Sequence, residues 1–128
     1  MEREKVYMEY LLKATAKQII WSCISTPMGL STWFADRVTS DEKTFTFQWG
    51  KEEERTAEVV GMRAYSYICF RWSDDPNEDE YFEIRMNNNE LTNDYVIEIT
   101  DFADVNEVDD LKELWNSQMD TLRRTCGF

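Results

Sequence analysis

From Lys5 to Lys13 the apolar side chains fall on every second position, so that Val6, Met8, Tyr10 and Leu12 share one face and Glu9 lies on the other. That period predicts a strand. The spacing then lengthens. Thr15 stands where a helix N-cap belongs, and Ile19, Ile20, Cys23 and Ile24 recur at helical intervals until Pro27 and Gly29 interrupt them. A second, shorter helical turn is expected from Leu30 to Phe34. After Asp36 the period returns to two. Phe45, Phe47 and Trp49 alternate with Thr44, Thr46 and Gln48, which predicts a strand over 44–50. The next strand is expected over Arg55–Met62, with Ala57 and Val59 inward and Glu58 outward. Tyr65–Trp72 follows, its Ile68, Phe70 and Trp72 opposed to Tyr67, Cys69 and Arg71.

The segment 73–79 is acidic and polar around Pro76, which marks a loop. Glu80–Met86 and Asp94–Thr100 then form two strands around the polar turn Asn87-Asn88-Asn89-Glu90, whose Asn residues tolerate the positive backbone angles of a hairpin. In that hairpin Phe82, Ile84 and Met86 face Tyr95, Ile97 and Ile99. The longest helix closes the chain, about Asn106–Arg124, with Val108, Leu111, Trp115, Met119 and Leu122 at spacings of three and four. Asn106 is placed to cap it. Glu107, Asp109 and Asp110 suit the positive end of the helix, Arg123 and Arg124 the negative end, and Gly127 follows as a stop. One α+β domain over 1–128 accounts for this order: a curved antiparallel sheet of six to seven strands wrapped around a long C-terminal helix, with two short helices after the first strand.

Composition sharpens the picture mainly by exclusion. Eighteen aromatic residues are too many for a disordered acidic chain, even at a net charge of -12. There is no His, which removes Ser-His and Cys-His nucleophile pairs, an imidazole base and a His-bound metal. Twenty-six acidic groups against fourteen basic ones repel a phosphate backbone, so nucleic acid is not an expected partner. The imbalance is local: residues 74–113 hold fifteen acids against Arg85 and Lys112. That half serves as a solubilising surface or as a docking face for a basic partner. The 74–80 loop lacks the alternating Asp pattern and the Gly of a calcium loop, so no metal or other cofactor is expected. Cys23, Cys69 and Cys126 match no CxxC or zinc spacing and are expected as reduced thiols. The charged Met1–Lys5 start is unlike a signal peptide or a membrane anchor, which points to a cytoplasmic protein without membrane insertion.

The stretch Ala14–Trp33, with its helix carrying Trp21, its turn at Pro27 and its second Trp at Trp33, resembles the opening of START-like, or Bet v 1-like, helix-grip domains, especially the Aha1-type branch. Phe45–Trp49, Ala57–Val60, Ile68–Trp72 and a final helix with Leu114, Trp115 and Leu122 continue the likeness, which spans essentially the whole chain. The resemblance implies a sheet gripping the last helix around a cavity that holds sterols, lipids, polyketides or hormones. It further implies cyclase or dehydratase chemistry in some members, and service as a chaperone partner in Aha1-type proteins.

Parity sets the candidate lining of such a cavity. The first strand contributes Tyr10; the middle strands Phe45, Phe47, Trp49, Val59, Ile68, Phe70 and Trp72; the hairpin Phe82, Ile84, Tyr95 and Ile97; the helix Trp115 and Met119. Met62 and Met86 add adaptable lining. Either these residues fill a core, or they border a pocket for a small hydrophobic ligand, with Arg71 the candidate anchor for an acidic ligand group. Two other readings stand beside a non-enzymatic binding module. In one, exposed rings such as Tyr7, Tyr65, Tyr67 and Tyr81, or the acidic half, dock a protein partner or a second copy. In the other, a cyclase- or hydratase-type enzyme relies on Tyr, Asp or Glu to carry protons.

Overall fold

The computed structural model describes residues 2–13, 16–92 and 94–126. Among these residues the alternating segments join into one seven-stranded antiparallel sheet: β1 (Arg3–Leu12), β2 (Arg37–Asp41), β3 (Thr44–Trp49), β4 (Glu53–Arg63), β5 (Tyr67–Trp72), β6 (Phe82–Asn88) and β7 (Tyr95–Asp104). Strands β2 to β7 are successive neighbours in chain order. The exception is β1, which lies beside β7, so α1 (Lys17–Ser25) and α2 (Pro27–Leu30) carry the chain from one edge of the sheet to the other. After a 3-10 turn at Val105–Glu107, the long helix α3 (Val108–Cys126) packs Trp115, Met119 and Leu122 into the core. The curved sheet and the long C-terminal helix give the helix-grip architecture that the family resemblance implies.

The parity expectations hold through most of the sheet. In β1, Val6, Met8 and Leu12 are buried and Tyr10 is half-buried. In the β6–β7 hairpin, Ile84 lies opposite Ile99 and Met86 opposite Ile97. The differences arise where a local signal competes with another. The strand β2, unmarked by any strong alternation, forms by pairing Val38 with Phe47. Pro27 starts α2 instead of breaking a helix, because its ring suits the first helical position and the Thr26 hydroxyl accepts from the Gly29 N–H at 3.0 Å. The helical turn therefore ends at Leu30, and Ser31–Phe34 is a turn. Ile19 is 48% exposed, since the inner face of α1 is already filled by Ile20, Cys23 and Ile24. Ala16, with no side-chain cap, occupies the N-cap of α1, while Thr15 and Gly127 lie outside the described residues. Asn106 falls inside the 3-10 turn instead of capping α3. In β4 a bulge between Val59 and Gly61 brings Met62 into register with Ile68, yet Met62, one residue from the end of the strand, is 58% exposed instead of lining the interior.

Gly29 is where α2 meets α1. A Cβ there would stand 2.0 Å from the Ser22 carbonyl oxygen, which is backbone and cannot give way. Gly29→Ala is expected to lose about 2–3 kcal/mol in urea unfolding, the range of core overpacking. At Gly61 the nearest atom is the Tyr67 ring at 3.4 Å, so Gly61→Ala in the same assay should stay within about 1 kcal/mol of the parent.

Candidate functional site

In an antiparallel sheet the starts of alternate strands and the ends of their neighbours share one edge. Here that edge gathers Trp49 at the end of β3, Glu53 and Arg55 at the start of β4, Trp72 at the end of β5 and Phe82 at the start of β6. Asp101 of β7 and Arg3 of β1 lie there too, beneath the N-terminal half of α3. The helix does not close over this end, and a cleft of about 750 Å³ opens between sheet and helix. Its apolar walls are Phe34, Trp49, Trp72, Phe82, Leu111, Leu114 and Trp115.

Phe34, from the turn after α2, organises these walls. Its ring stacks on Phe82 with centroids 5.6 Å apart and meets Phe47 and Trp49 edge-on at 5.1 and 6.0 Å. Its carbonyl oxygen accepts from Trp49 Nε1 at 2.9 Å and from Gln118 Nε2 at 3.2 Å. That contact fixes the Gln118 amide with its nitrogen toward Phe34, and leaves Gln118 Oε1 buried without a partner among the described residues.

Charged groups border the aromatic walls in two sets. On one side the Arg55 guanidinium lies over the Trp72 ring, 4.0 Å from its centroid, and donates to Asp74 at 2.7 Å. Arg55 holds the Asp74 carboxyl below its ordinary range. On the other side Arg3 makes a two-point pair with Glu80, Nε to Oε2 at 2.9 Å, and reaches Asp104 at 3.1 Å. Glu80 is only 8% exposed, and the pairing is what makes that burial tolerable. Asp101 differs from both sets. It points inward in the same parity as Ile97 and Ile99, accepts from Trp115 Nε1 at 2.9 Å and from the Phe102 N–H at 2.7 Å, and forms no ion pair among the described residues. Burial raises its carboxyl from an ordinary 3.8 to about 6, against the lowering effect of the two hydrogen bonds and of Arg3.

Of the residues marked out by parity, Trp49, Trp72, Phe82 and Trp115 border the cleft. Phe45, Phe47, Ile68, Phe70, Ile84, Ile97, Met86 and Met119 are buried core, and Val59 is half-buried against it. They support the cleft walls without bordering the cavity. Tyr10 and Tyr95 lie away from the cleft; the Tyr10 hydroxyl donates to Asn116 Oδ1 at 2.6 Å. Arg71 stands on the outer face, in register with Glu58, with its Nε buried and unpartnered among the described residues. The side chain named as a candidate ligand anchor, opposed to Trp72 in the alternation of β5, therefore does not border the cavity. Tyr7, Tyr65, Tyr67 and Tyr81 are each engaged separately, with Glu9, Trp21, Arg85 and Phe102 respectively. The sequence reading missed Phe34, Arg3, Arg55, Glu80, Gln118 and Asp101. For Asp101 a signal existed, because continuing the Tyr95, Ile97, Ile99 alternation by one step places a carboxylate inside. Among the described residues no group of three or more Cys, Asp or Glu side chains is arranged to hold a metal ion, and no helix is long and apolar enough to cross a membrane.

A family model described as a START-like superfamily domain matches residues 1–128. Among solved structures, the solution NMR structure of BfR322 from Bacteroides fragilis is 64% identical, covering 100% of this chain and 94% of that one, with a TM-score of 0.71. The Aha1 dimer from Colwellia psychrerythraea is 14% identical over 93% of this chain and 90% of that one, with a TM-score of 0.68. CalU16 from Micromonospora echinospora is 14% identical over 95% and 75%, with a TM-score of 0.74. At 14% identity the last two share the fold alone. No curated protein matches the chain.

The Asp101 environment has a signed consequence. Between about pH 4 and pH 6 the folded protein keeps a proton that the unfolded chain has released, so this group's contribution to stability falls as pH rises through that window. Asp101→Asn removes the effect while keeping an acceptor for Trp115. Relative to the parent, the variant is expected to be more stable at pH 7 than at pH 4 by about 2–3 kcal/mol, read from urea unfolding at the two pH values.

Proposed function

The chain belongs to the START-like superfamily, and on that footing we propose that it is a non-enzymatic module holding a small, largely apolar molecule in the cleft between sheet and α3. The observation that carries this reading is the cleft itself, at about 750 Å³ and lined by seven aromatic residues. Ligand sites fall in the range of roughly 300–1,000 Å³, mostly apolar with a few placed polar groups. Phe34, Trp49, Trp72, Phe82 and Trp115 supply the apolar part, and Asp101 and Gln118 the polar part. The sheet wall is pre-formed, because Phe47, Phe70 and Ile84 behind it are fully buried. The non-enzymatic reading rests on the cleft residues, none of which sets a hydroxyl or thiol nucleophile against a base.

Native mass spectrometry of protein purified without detergent tests the proposal. An added mass lost on denaturation supports it, and so does a rise in Tm with a neutral apolar probe such as 1-naphthylmethanol. A bare monomer that no such probe stabilises overturns it. A bare dimer favours the alternative of a self-associating domain, the state in which the Colwellia Aha1 relative was solved. Leu114 lines the cleft and is 55% exposed, so it is dispensable to the core. Leu114→Glu should weaken 1-naphthylmethanol binding about tenfold in calorimetry, with Tm within about 2 °C of the parent.

A further inference from the structure

The cleft has a charge sign. Its border holds Glu53, Asp74, Asp75, Glu80 and Asp101 against Arg3 and Arg55, and both arginines are already committed to carboxylates. No cleft cation remains to receive a carboxylate or phosphate ligand among the described residues. Two acceptors, by contrast, are under-supplied. Asp101 is a half-buried carboxylate without an ion pair, and Gln118 Oε1 is a buried acceptor without a donor. The rings of Trp49, Trp115 and Phe34 line the same cleft, and an aromatic wall next to a carboxylate is the arrangement that attracts organic cations.

We propose that the ligand of this cleft is a cationic amphiphile, an apolar or aromatic body bearing a protonated amine, whose ammonium group pairs with Asp101 among the surrounding rings. The inference rests on the reading of the cleft as a ligand site. An ammonium carries only donors, which is what the remaining lone pairs of Asp101 and the unpartnered Gln118 Oε1 require. Burial already disfavours the charged Asp101, so a cation that neutralises it without returning it to water gains more there than at a solvated acid. The groups facing Asp101 are Arg3 from β1, Glu80 from the segment before β6 and Trp115 from α3. None of them neutralises it by direct contact.

Three probes of one shape separate the possibilities by calorimetry: 1-naphthylmethylamine, 1-naphthylmethanol and 1-naphthoate. The amine is expected to bind about tenfold more tightly than the alcohol, and the carboxylate most weakly. Asp101→Asn should reduce the amine's advantage over the alcohol to about twofold while the alcohol's affinity is retained; Glu90→Gln, on a distant exposed turn, should preserve it. Amine affinity in the parent should also fall between pH 7 and pH 5 as Asp101 takes up its proton. Naphthoate binding as tightly as the amine overturns the charge assignment and leaves the apolar cleft standing. Failure of all three probes overturns both.

The far end of α3 carries an independent feature. Cys23 of α1 and Cys126 in the last turn of α3 bring their sulfurs to 2.8 Å, across 103 residues of chain. We infer that this pair is a site of reversible disulfide formation, with a small-molecule disulfide such as oxidised glutathione as the oxidant. Burial and the Cys126 contact push the Cys23 thiol up to about 12, so the first attack falls to Cys126. The Cys126 thiolate displaces one glutathione thiolate; Cys23, its proton passing to solvent, then attacks Cys126 Sγ and expels the second. Two protein thiols lose two electrons, and one disulfide becomes two thiols.

Equilibration with oxidised glutathione, alkylation and non-reducing peptide mapping test this. A linked Cys23–Cys126 peptide with alkylated Cys69, and a Tm higher by on the order of 10 °C, are expected, both abolished by Cys126→Ser. Alkylation of all three thiols, or a mixed disulfide that never resolves, overturns it.

Discussion

Phe34 ties together parts of the chain that have no other reason to meet. Its ring sits between the sheet residues Phe47, Trp49 and Phe82 and the helix residue Trp115, and its carbonyl receives the side chains of Trp49 and Gln118. Aromatic pairs of this kind contribute about 0.5–1.5 kcal/mol each beyond burial. The two donated hydrogen bonds satisfy polar atoms that would otherwise be costly to bury. Because the backbone must turn at 31–34 to deliver that residue, the short helix α2 and the close approach at Gly29 follow from the same constraint.

The cleft exists because the rings are large and the helix is anchored at its middle and far end. Trp115, Met119 and Leu122 hold α3 to the core, whereas Leu111 is only half-buried and Leu114 stands exposed. The acid-rich segment supplies part of the rim, and Arg3 ties down Glu80 and Asp104 while Arg55 ties down Asp74. Among the described residues Asp101, like Glu53 and Asp75 on the rim, is left without a cation, and of the three it alone lies against α3 through Trp115. Half-buried and held only by the Trp115 and Phe102 N–H donors, it gives the cavity its chemical character.

Legibility followed the strength of the local pattern. The β3 alternation, the β6–β7 hairpin and the amphipathic face of α3 could be read because a single face of each meets the core. In β2 only Val38 is buried, so the strand gives little sign of itself. The Val59/Gly61 bulge brings Met62 into register with buried Ile68, yet Met62, one residue from the end of β4, stays exposed, which alternation does not report. At the site, Trp49, Trp72, Phe82 and Trp115 were visible as inward rings. Phe34 was not, because a turn residue belongs to no period. Arg71 was offered as an anchor although the alternation of β5 already set it opposite Trp72, and the structure pairs it with Glu58 outside the cleft lining.

The sequence by itself determined the element types, the antiparallel sheet with its closing helix, the aromatic interior and the absence of imidazole chemistry, since each depends on residues within one or two turns of one another. Tertiary structure decided which rings border the cleft and which are packed behind it, and which charges are neutralised. Arg3 meets Glu80 across 77 positions, Arg55 meets Asp74 across 19, and Trp115 meets Asp101 across 14. Such pairs depend on strand order and on where the helix lands, and no local period carries that information.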